Sequence, residues 1–387
     1  MSGQQVYTAA LGYSSWDQEG IVDAALVVDG DTIVSFGPRS EVSADPTAEW
    51  HDLGDTVLAP GFIDGHVHLH FDGGADPIGA VTDASVDDLV ALAEHNAALL
   101  VSAGVTTARD LGSRGLLTAL TRDAITEGRI HGPRLLLAGS PLTSPRGHCW
   151  FLGGECADTA AMIELVHAQA DAGADWVKVM VSGGFLTEAT SVSTPQFDVE
   201  AMTAVVAYAH GRGLKVSAHA HSTRAVEAAA LAGVDTIEHS TFIAPDAIDF
   251  DLAVVAALVD HHVAVCPTVN AATHVYPAEY GTDALVRLRD MNALGVDVLM
   301  GTDAGVQNVT GDLYARGLAM LVAAGFSAAS VLGFATTDAA RILGVKAGRL
   351  EAGFPADAIG LRGDPLDDIA AAEAPAWVLA AGRVVVS

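Results

Sequence analysis

The chain has 387 residues, of which 50% are apolar, and its 48 acidic and 19 basic residues give a formal net charge of −29. A charge of this sign and size argues against nucleic acid or an anionic membrane as a partner, because both would repel an acidic surface. With only three cysteines, no basic and apolar leader and no apolar run long enough for a transmembrane helix, the sequence predicts a cytoplasmic globular protein.

The two ends of the chain are predicted to be β-structure. Ala25–Gly37 alternates apolar and polar residues around an Asp-Gly hairpin turn. Two further strand–turn–strand segments, 356–365 and 376–387, lie near the C-terminus. Neither end alone can bury one face of a sheet. We therefore predict one small β-sandwich domain built from both termini, residues 1–57 plus 348–387.

Between these ends, short apolar strands alternate with amphipathic helices. A capping Ser or Asp and a closing Gly bound the helical patterns Ser85–Gly104, Asp158–Gly173 and Asp198–Gly213. Such alternation indicates parallel strands, and the simplest closed arrangement is a (β/α)8 TIM barrel over residues 58–347. An open doubly wound sheet is the alternative, but no G-x-G-x-x-G follows the first strand. The predicted strands are Gly61–His66, Val105–Asp110, Arg134–Ala138, Trp176–Val181, Leu214–Ala218, Thr236–His239, Val263–Pro267 and Val298–Thr302.

Metal-type side chains stand where several of these strands end. The first strand runs into "GHVHLH", whose alternation puts His66 and His68 on one face of an extended segment. The corresponding residues of the later strands are His219, His221, His239 and Asp303. Because the reactive groups of a barrel lie at the C-terminal ends of its strands, we expect these side chains to form a metal site.

The fourth strand carries Lys178 inside an otherwise apolar stretch. Burial lowers the pKa of an amine and leaves it neutral and nucleophilic. Such an amine can capture carbon dioxide and become a carbamate, N6-carboxylysine, which is an anionic ligand able to bridge two cations. The alternatives are a lysine that reaches solvent or pairs with Asp175, and a Schiff-base lysine as in a lyase. The metal-type residues on the other strands favour the carbamate.

Motifs along nearly the whole chain resemble the amidohydrolase superfamily, in the carboxylated-lysine binuclear branch that holds Xaa-Pro dipeptidases, imidazolonepropionase-like enzymes and ochratoxinase. They are PGFIDGHVHLH, GVTTARDLG, DWVKVMVSGG, AHAHS, IEHS, GTDAG and AGRLEAGFPADAIGLRGDPLDDI. The resemblance implies two divalent metal ions, zinc first with manganese or cobalt as substitutes, and carbon dioxide as the Lys178 carbamate. The implied ligands are His66, His68 and Asp303 for the more buried metal, His219 and His239 for the second, and Lys178 between them.

The same resemblance implies that loop residues face the substrate. His148, in "SPRGHCW", and His221 are implied to contact the substrate carbonyl, where either would stabilise the oxyanion. Cys149 and Trp150 depart from the small and acidic residues usual in this loop. The departure predicts a bulky apolar or aromatic part of the substrate, with Trp150 against it and Cys149 as a pocket wall.

Three further residues have two interpretations each. Arg224 is a candidate for binding a substrate carboxylate, although it could equally cap its helix. Arg109 is a second candidate, with a structural role or pairing with Asp110 as the alternative. His70 lies one step too far along to be a ligand and is expected to line the pocket or meet solvent. The segment 267–303 is short for this branch, which predicts an open site or one completed by another subunit.

These expectations describe an enzyme that hydrolyses an amide or peptide bond of a small molecule. A hydroxide bridging two metals would attack the carbonyl while Asp303 moves the proton. The expected substrate is an N-acyl amino acid, a dipeptide or an aryl amide, and the resemblance implies a homo-oligomer. The alternatives are a mononuclear deaminase or cyclic-amide hydrolase of the same superfamily, and a non-catalytic barrel scaffold.

Overall fold

The computed structural model describes residues 3–187 and 189–387. The strands are β1 Gln5–Gly12, β2 Ile21–Asp29, β3 Thr32–Pro38, β4 Glu49–Asp52, β5 Val57–Pro60, β6 Phe62–Val67, β7 Val105–Asp110, β8 Arg134–Leu137, β9 Trp176–Met180, β10 Lys215–Ser222, β11 Thr236–Ile243, β12 Ala264–Cys266, β13 Ala358–Leu361, β14 Trp377–Ala380 and β15 Arg383–Val386. Strands β1–β5 and β13–β15 share one sheet, and β6–β12 form two others.

Helices occupy most of the connections between the parallel strands, and several begin at the capping residues that the sequence predicts. They are α1 Pro77–Asp83, α2 Val86–Ser102, α3 Thr118–Thr126, α4 Thr159–Asp171, α5 Val199–Gly211, α6 Thr223–Ala232, α7 Leu252–Asp260, α8 Thr282–Ala293, α9 Tyr314–Ala323, α10 Ala328–Phe334 and α11 Thr337–Leu343. Ser85 and Asp88 form a reciprocal capping box at the start of α2, and Asp158 and Asp198 cap α4 and α5. Among the described residues, no helix has the length and apolar character needed to cross a lipid bilayer.

One mixed sheet joins the two ends of the chain, in the order β15-β14-β13-β5-β1-β2-β3, with β4 paired to β1. The hairpin between β2 and β3 pairs Asp29 with Thr32, so its loop residues are Gly30 and Asp31 rather than Asp29 and Gly30. Gly30 has a φ of +60°, a conformation that glycine adopts without strain at the first position of a tight turn. Strand β5 lies inside this sheet and leads directly into β6.

The middle of the chain forms parallel sheets, which confirms the predicted α/β class. Strands β6, β7 and β8 make a three-stranded sheet, and β12, β11, β10 and β9 make a four-stranded one. Isolated parallel bridges extend both sheets towards each other at their two edges. The bridges pair Leu142 with Val179, Val265 with Val298, and Val67 with Ala304.

The segment predicted as the eighth strand, Val298–Thr302, is extended but forms no strand ladder. Its backbone still hydrogen-bonds to β6 on one side and to β12 on the other. The ladder is interrupted because two of its donors are used elsewhere: the backbone N–H of Met300 donates to the carbonyl of Phe334 at 2.9 Å, and that of Thr302 donates to Oδ1 of the buried Asp64 at 3.1 Å. A side chain thus replaces backbone pairing where the two segments meet.

The apolar interior lies between the parallel strands and their helices. Val179, Val216 and Val265, on three strands of the four-stranded sheet, are fully buried in it, together with Met202 of α5 and Leu258 of α7. Buried polar side chains in such an interior require hydrogen-bond partners or a function. The buried histidines, lysine and acids at the strand ends are therefore candidates for a functional role.

Candidate active site

Residues from separate strands meet at the carboxyl ends of the parallel sheets. His66 lies on β6, Lys178 on β9, His219 and His221 on β10, and His239 on β11. The ring centroid of His239 is 4.5 Å from that of His219 and 5.6 Å from that of His66. Two groups of metal-type side chains therefore form one contiguous cluster.

Three residues of the cluster have left-handed backbone conformations that are costly for a residue with a Cβ. The φ angles are +70° at His239, +53° at Thr268 and +62° at Asp303. Such conformations persist only where the surrounding structure enforces them, and they concentrate at functional sites. Two of the three were predicted from the sequence as metal ligands.

The first group consists of His66, His68 and Asp303. The Nε2 atoms of the two histidines are 3.2 Å apart, and Oδ1 of Asp303 lies 3.3 Å from Nε2 of His66 and 3.2 Å from Nε2 of His68. Ligand atoms bound to tetrahedral zinc at the usual bond lengths are about 3.3 Å from one another. The three atoms therefore have the spacing of one face of a zinc coordination shell.

Hydrogen bonds at the other ring nitrogens decide which atoms carry lone pairs. Nδ1 of His66 donates to Oε2 of Glu238 at 2.7 Å, and Nδ1 of His68 donates to the carbonyl of Gly112 at 3.0 Å. Both Nε2 atoms therefore face Asp303 with lone pairs, and three electron-rich atoms converge. Burial is the largest influence on the pKa of His68 and lowers it, but Asp303, the carbonyl of Gly112 and Asp110 together raise that pKa above its ordinary value. The arrangement demands a cation, which a divalent metal supplies.

The second group consists of His219, His221 and His239, each with a ring nitrogen within 4.8 Å of the others. Nε2 of His219 donates to the carbonyl of Gly183 at 3.1 Å, which leaves Nδ1 as a free acceptor. Nδ1 of His239 donates to Thr268 Oγ1 at 2.8 Å, because that hydroxyl already donates to the carbonyl before it. Burial lowers the pKa of His219 and of His239 well below the usual value, so both present neutral lone pairs.

Lys178 is fully buried, and its Nζ has no hydrogen-bond partner among the described residues. In the β9–β10 pairing it stands opposite Ser217, two residues before His219. Burial lowers the pKa of the amine to about 8, so a neutral, nucleophilic fraction exists near neutral pH. A buried amine without a hydrogen-bond partner, next to two groups of metal-type side chains, fits a carbamate. The carbamate would replace the unpaired amine and add two oxygen atoms as metal ligands.

Glu238 is the principal residue that the sequence analysis missed. Its Oε1 accepts hydrogen bonds from Arg109 at 3.0 Å, Ser217 at 2.9 Å and Thr236 at 2.7 Å, and its Oε2 orients His66. Burial opposes its ionisation, but the charge of Arg109 and the hydrogen bond from His66 hold its pKa below the usual range. A charged residue in the middle of the predicted strand "TIEH" was the signal, as a charged residue within a predicted strand was for Lys178.

The loop after β8 brings His148 against the second group. Its ring centroid lies 4.5 Å from that of His219, and burial followed by the charge of His221 lowers its pKa to about 3. Oε1 of Gln196 accepts the backbone N–H of His148 at 3.1 Å, while its Nε2 donates to the carbonyl oxygens of Met180 and Ser182. One glutamine therefore ties this loop to the loop that follows β9.

The remaining loop residues differ in exposure. Burial, with the charge of Asp303, raises the pKa of Cys149 to about 12, so the thiol stays protonated and is not a nucleophile. Trp150 is 43% exposed beside it. Arg224 is exposed in the first turn of α6 and makes no hydrogen bond to the site histidines in the described chain. The structure therefore leaves the role of Arg224 a prediction.

Arg109 and His70 are both fully buried. Arg109 also donates to the carbonyl of Gly65 at 2.7 Å and lies 4.2 Å from the ring centre of Trp176. Of the two interpretations of Arg109, these contacts agree with the structural role, because the guanidinium is used inside the core. Nδ1 of His70 accepts the backbone N–H of Arg114 at 3.1 Å, so this residue does not meet solvent.

The sequence matches the amidohydrolase family over residues 57–385. The chain belongs to this family. Ochratoxinase from Aspergillus niger is 26% identical, with 93% of this chain and 81% of that protein aligned. Imidazolonepropionase from Deinococcus radiodurans is 28% identical, with 94% and 90% aligned. The crystal structure of a Xaa-Pro dipeptidase with methionine bound in its active site has a TM-score of 0.85, 27% identity and coverage of 98% and 99%.

Membership of the amidohydrolase family confirms the resemblance that the sequence motifs predicted. The predicted class of enzyme, a metal-dependent hydrolase of amide or peptide bonds, is confirmed with it. Divalent metals agree with the chemistry of the histidine and aspartate groups.

Proposed function

We propose that this amidohydrolase is a binuclear enzyme in which Lys178 carries a carbamate. The observation that carries the proposal is the buried Nζ of Lys178, unpartnered within the described chain, beside two groups of neutral lone pairs. A mononuclear site or a non-catalytic scaffold would leave this buried amine without an explanation. The proposed ligands are His66, His68 and Asp303 for one cation, His219 and His239 for the other, and the carbamate of Lys178 for both.

The donor set is imidazole nitrogen with carboxylate oxygen, which suits zinc, with manganese or cobalt as substitutes. When bound, two divalent cations would supply Lewis acidity at the scissile carbonyl and a water of lowered pKa. Carbon dioxide would be a second small cofactor, held covalently on Lys178. These assignments make metal content and carbon dioxide dependence measurable properties of the protein.

Asp303 is proposed to carry the proton from the attacking water to the leaving nitrogen. Burial opposes its ionisation, but His66 and His68 hold the pKa of this carboxyl well below its usual range. It is therefore ionised at neutral pH, which is the protonation state that a general base needs.

His221 and His148 are proposed to donate to the carbonyl oxygen as negative charge develops. Burial lowers the pKa of His221 to about 4, so its ring is neutral. Nδ1 of His221 lies 2.9 Å from Thr241 Oγ1, which is also 3.4 Å from the carbonyl oxygen of His221. The proposed role requires the hydroxyl proton to lie on the shorter contact, which leaves Nε2–H free to donate. Preorganised donors of this kind stabilise an oxyanion without reorganisation cost.

The proposed substrate is an amide or peptide next to a carboxylate-bearing group: an N-acyl amino acid, a dipeptide or an aryl amide. Similarity to the Xaa-Pro dipeptidase and to ochratoxinase supports this choice. Trp150 and Arg224 are the proposed contacts to an apolar part and to a carboxylate. The second candidate is a cyclic-amide hydrolase, which the similarity to imidazolonepropionase favours.

The framework of the proposal is a closed (β/α)8 barrel over residues 58–347, with a small β domain from 1–57 and 348–387. The bridges at both edges of the two parallel sheets support closure. The free thiols of Cys149 and Cys156 support a cytoplasmic location, since thiols persist in reducing compartments. A homo-oligomer remains part of the proposal through the sequence resemblance.

The test is a product assay on zinc-reconstituted protein with Lys178→Ala and Asp303→Asn as controls. The panel holds dipeptides, N-acyl amino acids, aryl amides, cyclic amides and aminopurines, with products identified by mass spectrometry. Release of a free amino acid or arylamine, lost in both variants, is the expected result. A ring-opened product would support the cyclic-amide alternative, and ammonia would support a deaminase. Metal binding at one ion per chain, unchanged in Lys178→Ala, would refute the binuclear site.

A further inference from the structure

Consecutive residues of the loop after β9 lie directly against the site histidines. The carbonyl of Gly183 accepts the hydrogen bond from Nε2 of His219 at 3.1 Å. A Cβ added to Gly184 would overlap the ring of His148. Glycine at position 184 lets the backbone approach that ring closely, whereas a Cβ at position 183 would meet the backbone of Ser191. The backbone of this loop therefore packs directly against the rings of His219 and His148.

Phe185, the next residue, continues the contact with its ring. Its centroid lies 5.2 Å from that of His221 at an interplanar angle of 75°, and 5.6 Å from that of Tyr280 at 48°. Tyr280 comes from the segment after β12, so the pair spans the ends of β10 and β11. The Phe185 side chain nevertheless stays 60% exposed. The loop after β9 and the segment after β12 therefore meet above the site through two aromatic rings, and the ring of Phe185 remains largely exposed to solvent.

Hydrogen bonds from Arg287 hold the segment that carries Tyr280. Arg287 of α8 donates to the carbonyl of Glu279 at 2.5 Å and to that of Thr241 at 3.4 Å. Thr241 is the residue whose hydroxyl contacts His221. The guanidinium therefore joins the segment that carries Tyr280 to the backbone that orients a site histidine. These contacts hold Tyr280, and with it the aromatic pair, at a fixed position relative to His221.

We propose that Phe185 and Tyr280 form the recognition surface for an aromatic ring, or a comparably flat apolar group, beside the scissile amide. The inference rests on the proposed function, because it names the substrate class of that same site. Aromatic rings associate in tilted or edge-to-face pairs with centroids 4.5–7 Å apart, as these two already do. The exposed part of Phe185 offers the same contact to a substrate ring that lies above His221. Neither ring carries charge, so the surface selects apolar groups.

The test measures kcat/KM for matched pairs of substrates with Phe185→Ala, Phe185→Tyr and the control Leu252→Ala. Leu252 is 61% exposed at the start of α7 and so matches the exposure of Phe185. One pair is N-benzoyl-L-alanine against N-acetyl-L-alanine, and the other is N-acetyl-L-phenylalanine against N-acetyl-L-alanine. Each pair differs by a ring on only one side of the amide.

We expect the native protein to prefer the ring-bearing member of at least one pair. Phe185→Ala should lower that preference about tenfold, the size of a lost ring contact with its buried area. Phe185→Tyr should retain it, and Leu252→Ala should leave both rates within about twofold. An unchanged preference in Phe185→Ala overturns the inference while the amidase itself stands.

Ligand binding separates this inference from the reaction. Saturation-transfer NMR on the metal-free protein would follow the ring protons of N-acetyl-L-phenylalanine. A signal that is present in the native protein and lost in Phe185→Ala supports the recognition surface, even if no amide is hydrolysed and the proposed function fails. Equal signals in the two proteins overturn it.

Discussion

Replacing Glu238 with Gln is expected to destabilise the metal-free protein and to weaken metal binding. Glu238 accepts hydrogen bonds from Arg109, Ser217, Thr236 and His66, all within 3.0 Å. The substitution removes the only negative charge paired with the Arg109 guanidinium in the described structure, and that guanidinium is fully buried. Breaking a buried ion pair by removing one partner costs about 3–5 kcal/mol, so the free energy of unfolding should fall by that amount.

The same substitution disturbs His66, because an amide holds its Nδ1–H less firmly than a carboxylate does. Loss of such an orienting partner lowers metal affinity about 10- to 100-fold. Urea unfolding of the metal-free protein measures the first effect, and competition with a chelator measures the second. Neither readout needs a substrate.

Arg109→Met and the double variant complete a double-mutant cycle for the buried pair. The double variant removes both charges, so it should recover much of the stability lost in Glu238→Gln but none of the metal affinity. If the two single losses simply add in the double variant, or if Glu238→Gln leaves metal affinity unchanged, the assigned role of this pair is wrong.

Carbon dioxide should be required for full metal uptake: zinc reconstitution in carbon dioxide-depleted buffer should give substoichiometric metal at the site of Lys178, restored by bicarbonate. Equal uptake in both buffers would exclude the carbamate. Burial, aided by Asp158, raises the pKa of the Cys156 thiol from 9.0 to about 11, so its contribution to stability is lost as pH rises through that interval. Thermal unfolding of Cys156→Ala should therefore depend less on pH between 9 and 11 than that of the native protein, and parallel curves would contradict this. Gln196→Ala should release the His148 loop and lower kcat/KM about tenfold with metal content unchanged; a loss of metal instead would mean that Gln196 supports the ligands.

The sequence predicts best the features that local rules determine. Helix α2 begins one residue after its capping serine, and glycines follow α4 and α5, because caps and periodicity act over a few residues. The alternation of His66 and His68 also survives intact, since an extended strand fixes which side chains share a face. Lys178 was recognisable because a charge inside an apolar strand demands a reason.

The features that the sequence did not predict depend on contacts between distant segments. Asp64 accepts the backbone N–H of Thr302 and the carbonyl of Phe334 accepts that of Met300, so the last predicted strand has no ladder despite its apolar pattern. Gln196 and Phe185 lie in loops without periodicity, where only the folded chain brings them to His148 and to the other histidines. Charge within a strand was available as a signal for Glu238 and was used only for the lysine.

The mixed sheet has a consequence for the order in which the protein can be made. Strand β5, which runs straight into β6 and the first two histidines, is paired on one side with β1 and on the other with β13, at residues 358–361. During synthesis the barrel strands emerge long before residues 358–387 leave the ribosome, so the segment entering the site waits with one edge unpaired. The sheet from which the first ligand strand begins is therefore closed only after β13, which follows all the barrel strands along the chain, has been synthesised.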